Sequence, residues 1–156
     1  MKTILAVMLF ASAGVFAQER LPAEDVGGMA VIGAAVGTPA GVSLVGGYYF
    51  SGLAVRVSGG SWGRYEYGLQ GDCSVILNRG SLFSHGIALF AGRFSTQTHD
   101  DAAGSDVVRT QNYAGAGYDL FLAGFYLEAG LGFGTSRAPE YRNPLPVLQA
   151  GYLFHF

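Results

Sequence analysis

The sequence predicts an all-β chain closing into an eight-stranded antiparallel up-and-down transmembrane β-barrel. Three observations carry that reading. Hydrophobic residues make up 50% of the chain and charged residues only 13%, about half the usual share of charge. Yet no apolar run after residue 17 approaches the roughly 20 residues that a membrane helix needs. From Val26 onward, runs with β-type content alternate with turn signals, and the closing stretch VLQAGYLFHF (147–156) carries aromatics at every second position. A chain that is apolar on average, but never apolar in blocks, is one in which apolar and polar residues alternate along strands.

Taken in order, residues 1–17, MKTILAVMLFASAGVFA, have a cationic start at Lys2, an apolar run from Ile4 to Phe10 and small residues leading to Val15-Phe16-Ala17. That is the pattern of a cleaved secretory signal peptide, and its apolar run is too short for a transmembrane anchor. Residues 18–25 form a polar, short periplasmic lead-in, and 26–156 form the barrel. Strands are expected at roughly 26–37, 41–50, 53–62, 65–77, 84–96, 108–121, 125–135 and 146–156. Turn signals punctuate them: TPAG at 38–41, SG at 51–52, GR at 63–64, NRGS at 78–81, LAG at 122–124 and SRAPEYRN at 136–143. A polar segment, TQTHDDAAGSD at 96–106, is read as a long loop. No helical periodicity of comparable length, second domain or linker is visible.

Period two assigns faces within these runs. In the third, Leu53, Val55 and Val57 oppose Ala54, Arg56 and Ser58. In the fourth, Tyr65, Tyr67, Leu69, Cys73, Val75 and Leu77 oppose Glu66, Gln70, Asp72 and Ser74. In the seventh, Phe125, Leu127, Ala129, Leu131 and Phe133 oppose Tyr126 and Glu128. In the last, Leu148, Ala150, Tyr152, Phe154 and Phe156 oppose Gln149, Gly151 and His155. The fifth run, 84–96, is ambiguous: Phe90 and Arg93 fall on opposite faces, with Ile87 and Leu89 on the side of the arginine.

A soluble barrel would turn its apolar face inward and its charged face to water. The charged face here is small and glycine-rich, a poor coat in water but a suitable filling for a narrow interior. The apolar face is therefore expected to meet lipid. Strands of about nine to eleven residues cross a bilayer when tilted, and unpaired backbone is so costly in hydrocarbon that the sheet must close. An even strand count puts both termini on the periplasmic side, with short turns there and longer loops outside. The two longest connections, 96–107 and 136–145, both fall in the outward set. The 139 residues left when 17 are removed from 156 suit eight strands better than ten.

Composition excludes other classes. The one cysteine, Cys73, cannot pair within the chain, so disulfides do not stabilise this exported domain. Without Lys2 the eight arginines face eleven carboxylates, for a net charge near −3, which argues against nucleic acid as a partner.

The signal peptide, the glycine-rich alternating strands and the terminal GYLFHF resemble the small eight-stranded outer-membrane proteins of the OmpX and OmpA-barrel type. The resemblance covers about 26–156 as architecture. It implies a location in the outer membrane of a diderm bacterium, with outer-membrane lipids and lipopolysaccharide as neighbours. Tyr152, Phe154 and Phe156 resemble the C-terminal assembly signal read by the barrel-insertion machinery of that group.

The inward set of charges, Arg56, Glu66, Asp72, Arg93, Arg109, Asp119 and Glu128, is expected to form an ion-pair network filling the interior, because buried charge is costly unless paired. At the outer rim Arg64, Arg137 and Arg142, near Trp62, Tyr65 and Tyr141, are candidates for lipopolysaccharide phosphates, which suit guanidinium forks. Among the histidines, His99 stands beside Asp100 and Asp101 on the polar segment and is the nameable candidate for hydrolysis. Ser84 and His85 are adjacent and would face opposite sides of a strand. The lipid A deacylase type shares this size class, but its His-x-Ser strand motif is missing here. GGSWG at 59–63 is similar to the Gly-x-Trp of lipocalins, but it ends the third strand instead of opening the first. The expectation is a non-enzymatic, monomeric outer-membrane barrel without cofactor, metal or assigned catalytic residue. Its surface loops would serve adhesion, ligand or lipopolysaccharide contact, or envelope integrity. The alternatives are a lipid-modifying enzyme of the outer membrane and a soluble periplasmic ligand-binding barrel.

Overall fold

The alternating runs fold as strands because β-branched, aromatic and leucine residues dominate one face while the other carries most of the polar residues, the pattern a two-faced sheet accepts. A computed structural model describes residues 28–79, 83–100, 104–135 and 143–156. The predicted signal peptide, the lead-in at 18–25 and the first residues of the predicted first strand lie outside them. The strands are β1 (Met29–Thr38), β2 (Gly41–Phe50), β3 (Leu53–Ser61), β4 (Tyr67–Arg79), β5 (Phe83–Asp100), β6 (Ser105–Leu122), β7 (Phe125–Gly134) and β8 (Leu145–His155). Each pairs antiparallel with its sequence neighbour, and β8 returns to β1 to close the barrel.

Register fixes the geometry of closure. A row followed from Ala30 passes through Tyr48, Val55, Cys73, Leu89, Ala116, Leu131 and Pro146. The β8–β1 register then returns it to position 40, ten residues up β1 from its origin. A stagger of ten over eight strands implies a strand tilt of about 40°. Both described chain ends lie at one end of the barrel with the turns at 51–52 and 123–124 and the strand ends Arg79 and Phe83. The turn at 39–40, the connection 62–66 and the strand ends Asp100, Ser105, Gly134 and Leu145 lie at the other. The β6–β7 connection is a two-residue hairpin in which Ala123 (φ 49°) and Gly124 (φ 88°) are both left-handed, the conformation that matches the twist of the flanking strands.

The outside is the apolar side. Leu44 is 74% exposed, Leu89 65% and Phe133 62%, whereas Arg56 is 1% exposed. The faces read for the third, fourth, seventh and eighth runs are those of β3, β4, β7 and β8. In β5 the ambiguity resolves with Ala88 and Phe90 inward and Ile87, Leu89 and Arg93 outward. Arg93 is thus a correction to the expected interior network. An arginine ending an apolar row sits at the rim of that face.

A second correction concerns 96–107, expected as a loop. Here β5 and β6 continue as a paired ladder from Thr96↔Arg109 to Asp100↔Ser105. Cross-strand polar bonds hold it, from Gln97 Nε2 to Asp106 Oδ2 at 2.5 Å and between the Ser95 and Thr110 hydroxyls at 2.8 Å. Thr96 and Thr98 on β5 and Val107, Val108 and Thr110 on β6 have high β propensity. The segment is polar because the ribbon has left the apolar band, not because the ladder has stopped.

Inside, two apolar clusters bracket a polar middle. Along β6 the inward side chains run from Phe121 through Asp119 to Tyr113 and Gln111. Phe121 belongs to a cluster with Val31, Ala35, Val45, Tyr126 and Leu153, and Tyr113 to another with Phe90 and Val147. The Phe90 ring lies over glycines of the neighbouring strands β6 and β7. A Cβ on Gly130 would stand 2.8 Å from Phe90 Cε1 and 2.6 Å from the Ala116 carbonyl oxygen. Gly130→Leu should therefore destabilise the folded barrel by about 1–3 kcal/mol through overpacking. Urea unfolding from lipid vesicles, read as loss of the heat-modifiable band, measures it, and an unchanged midpoint would refute this packing.

Candidate functional site

The polar middle of the lumen is built around one cation. Arg56, inward on β3, is surrounded by carboxylates from three other strands: Asp72 on β4, Asp119 on β6 and Glu128 on β7. Its Nε donates to Asp72 Oδ1 at 2.7 Å, and its Nη2 donates to Asp119 Oδ2 at 2.7 Å and to Glu128 Oε2 at 3.0 Å. The guanidinium lies over the Tyr126 ring at 4.8 Å and the Phe121 ring at 5.3 Å. All four charged residues are buried. The arrangement follows from register, because Arg56 pairs directly with Asp72 and Asp119 directly with Glu128. Each pair therefore projects inward at its own level, and the long arginine side chain spans the lumen between them.

A shell of neutral groups completes the cluster. Gln70 Nε2 donates to Glu128 Oε1 at 2.8 Å, and the Tyr113 hydroxyl donates to Gln70 Oε1 at 2.8 Å. The Ser74 hydroxyl donates to Asp119 Oδ2, and Arg56 Nη2 reaches Ser74 Oγ at 3.5 Å. Tyr126 donates to Gln149 Oε1 at 3.4 Å. Gln70 and Ser74 share the inward parity of Asp72, and Gln149 that of the last strand's polar face. The signal for these partners was present, but it identifies a face and not a contact.

The remaining predicted residues lie elsewhere. Glu66 is exposed in the 62–66 connection, accepting a 3.4 Å bond from Thr96 Oγ1. It is corrected from the interior set because β4 starts one residue after it, so strand parity does not reach it. Arg93 faces outward, and Arg109 is half-buried on the ribbon opposite Thr96. Arg64 is exposed with its guanidinium 5.4 Å over the Tyr65 ring. Arg137, Tyr141, Arg142 and Asp101 lie outside the described residues, as do the side chains of His99 and Asp100. His85 is on the outer surface, bonded to the Tyr118 hydroxyl through Nδ1 at 2.5 Å. The aromatics of the last strand sit together outside the terminal end, with Tyr152 5.0 Å from Phe154 and 4.8 Å from Phe125.

Asp72, Asp119 and Glu128 offer carboxylate oxygens within 4.8 Å of one another, the convergence that suits a cation, and the Arg56 guanidinium sits among them. Reaction chemistry needs access, and here the apolar clusters close the lumen on both sides of the charges. The geometry suits a strap that ties β3 and β4 to β6 and β7 across the barrel.

No family model matches the chain, and no curated protein matches it. The structure is similar to the crystal structure of the N-terminal β-barrel domain of OprF from Pseudomonas aeruginosa, with a TM-score of 0.51 at 14% identity, covering 83% of this chain and 96% of that one. The two share one fold. At that identity the likeness concerns the eight-stranded barrel and its connectivity, and leaves the side chains of the lumen to be explained from this chain alone.

Removing the central cation leaves three carboxylates buried together. Arg56→Met should cost about 3–5 kcal/mol of folding stability. Combining it with Asp72→Leu, Asp119→Leu and Glu128→Leu should recover most of that loss, because replacing a whole buried charge group with apolar residues is often neutral. Urea titration of each variant in vesicles checks both. A single variant as stable as the parent would refute the strap.

Proposed function

We propose that this chain is a non-enzymatic, monomeric integral outer-membrane β-barrel whose role is exercised at its outer rim and projecting ribbon. Contact with outer-leaflet lipopolysaccharide, adhesion and support of the envelope are the activities that such a surface suits. The observation that carries the reading is the inversion of the barrel: apolar side chains outside, paired charges within. In water such an exterior would be an aggregation hazard, whereas in hydrocarbon it is the solvated face.

The height of that face supports the reading. Along β5 the outward row runs from Phe83 to Arg93, ten residues. At about 3.3 Å per residue and a tilt near 40° this is about 25 Å, the height of the apolar band of outer-membrane barrels. Aromatics stand at the terminal end of the band, among them Tyr48, Phe50, Phe83, Phe125 and Tyr152. Trp62, Tyr65, Tyr67 and Phe133 stand toward the other. Such girdles mark the two interfaces. The likeness to an OprF barrel domain and the aromatic last strand, Tyr152, Phe154 and Phe156, support delivery to the outer membrane by the barrel-assembly machinery. The filled lumen disfavours a pore.

Depth dependence tests the membrane reading. Leu89→Arg, near mid-band, should lower folding stability in bilayers by about 2–4 kcal/mol, and Leu69→Arg, near the rim, by about 0–1 kcal/mol. Equal costs at the two depths, or recovery of the full chain as a detergent-free soluble protein, would reject it.

A further inference from the structure

On the outer face, the apolar band is thin across β4, β5 and β6. The row through Gly71 continues laterally to Ala91 on β5 and Ala114 on β6, so three neighbouring strands present small side chains side by side. A Cβ built on Gly71 would meet nothing closer than the Arg56 carbonyl oxygen at 3.9 Å, so the floor is open. The result is a shallow, open trough of about 390 Å³ bordered by Val55, Val57, Gly71, Cys73, Leu89 and Ala91.

Directly above Ala91 on the same outward row stands Arg93, exposed and flanked in register by Leu69 and Asn112. The ion pairs of Arg56 do not involve Arg93, which stands exposed at the top of the apolar band. A fixed cation with a neighbouring amide over an apolar trough is complementary to a molecule with an anionic head and an acyl tail.

We propose that this face of β3–β5 is a binding site for a phosphorylated glycolipid of the outer leaflet, with Arg93 holding a phosphate and the Gly71 groove seating one acyl chain. The proposal rests on the outer-membrane reading above, which makes the end remote from the termini the outer one and so identifies the leaflet. Guanidinium takes phosphate oxygens in a two-point grip, and Asn112, paired with Arg93 in register, supplies a further donor. Arg93, in the expected interior set, thus becomes a residue of the lipid boundary.

The full chain, folded in detergent micelles, is tested by native mass spectrometry against bisphosphorylated lipid A, dephosphorylated lipid A and phosphatidylglycerol. The parent should retain bisphosphorylated lipid A in preference to the other two. Arg93→Gln should weaken that retention about tenfold, in line with loss of one charge-assisted interaction, and Arg93→Lys should restore part of it. Ala91→Leu, which fills the groove and leaves the head contact intact, should weaken it too. Arg93→Gln is on the exposed rim and should keep the heat-modifiable band, which is scored first for every variant. Undiminished retention by Arg93→Gln, equal retention of dephosphorylated lipid A, or retention of phosphatidylglycerol as strong as that of lipid A would overturn the site while leaving the barrel reading intact. Failure of the parent to fold in micelles or bilayers would overturn both.

Discussion

A sheet in hydrocarbon has no water to satisfy its edges, so every backbone amide and carbonyl within the apolar band must find a partner in the sheet itself. Closure of β8 onto β1 is the pairing that meets this demand, and the rest of the architecture follows from it. With eight strands and a stagger of ten the lumen is narrow enough for side chains alone to fill. Each inward position must then be matched in volume across the barrel. Where Phe90 enters from β5, β6 and β7 present glycine. Where Arg56 enters from β3, they present Asp119 and Glu128. Large and small, cation and carboxylate, are allotted by the same constraint.

Much of this was legible in the chain. Strand number, the alternation within β3, β4, β7 and β8, and the membership of Arg56, Asp72, Asp119 and Glu128 on the inner face all follow from a period of two and the position of turns. What period two cannot supply is height. Glu66 was expected inside by parity with Gln70 and Asp72, and Arg93 as a charge on an ambiguous strand, but both stand where the apolar band ends and charge is at ease on any face. The polar stretch 96–106 misled for the same reason. Polarity there reports that the ribbon has left the apolar band, while its threonines and valines report that the ladder persists. Counting residues from the aromatic girdle at Phe83 would have separated the two effects.

Contacts across the lumen were illegible for a different reason. Arg56 and Glu128 are 72 residues apart, and their meeting depends on the stagger of the closed barrel, which no single strand encodes. Parity places Gln70, Ser74 and Gln149 inside; only closure determines that Gln70 bridges Tyr113 to Glu128 and that Gln149 accepts from Tyr126.

The retention of charge in so small a lumen has a physical rationale beyond filling. An apolar group of the same volume would often stabilise as well, but it would leave the inner and outer faces chemically alike. In a strand with both faces apolar, a slip of one residue exchanges the faces at little cost, and register is weakly specified. Here the same slip would turn Arg56, Asp72, Asp119 and Glu128 toward the outside of the band, where each cationic side chain near mid-depth costs about 2–4 kcal/mol and carboxylates somewhat less. Because the four residues come from β3, β4, β6 and β7, a slip in any one of these strands breaks the group. The cluster thus acts on the competing registers as much as on the native one, and a chain that must assemble between two apolar surroundings gains its sidedness from the few positions that tolerate neither error.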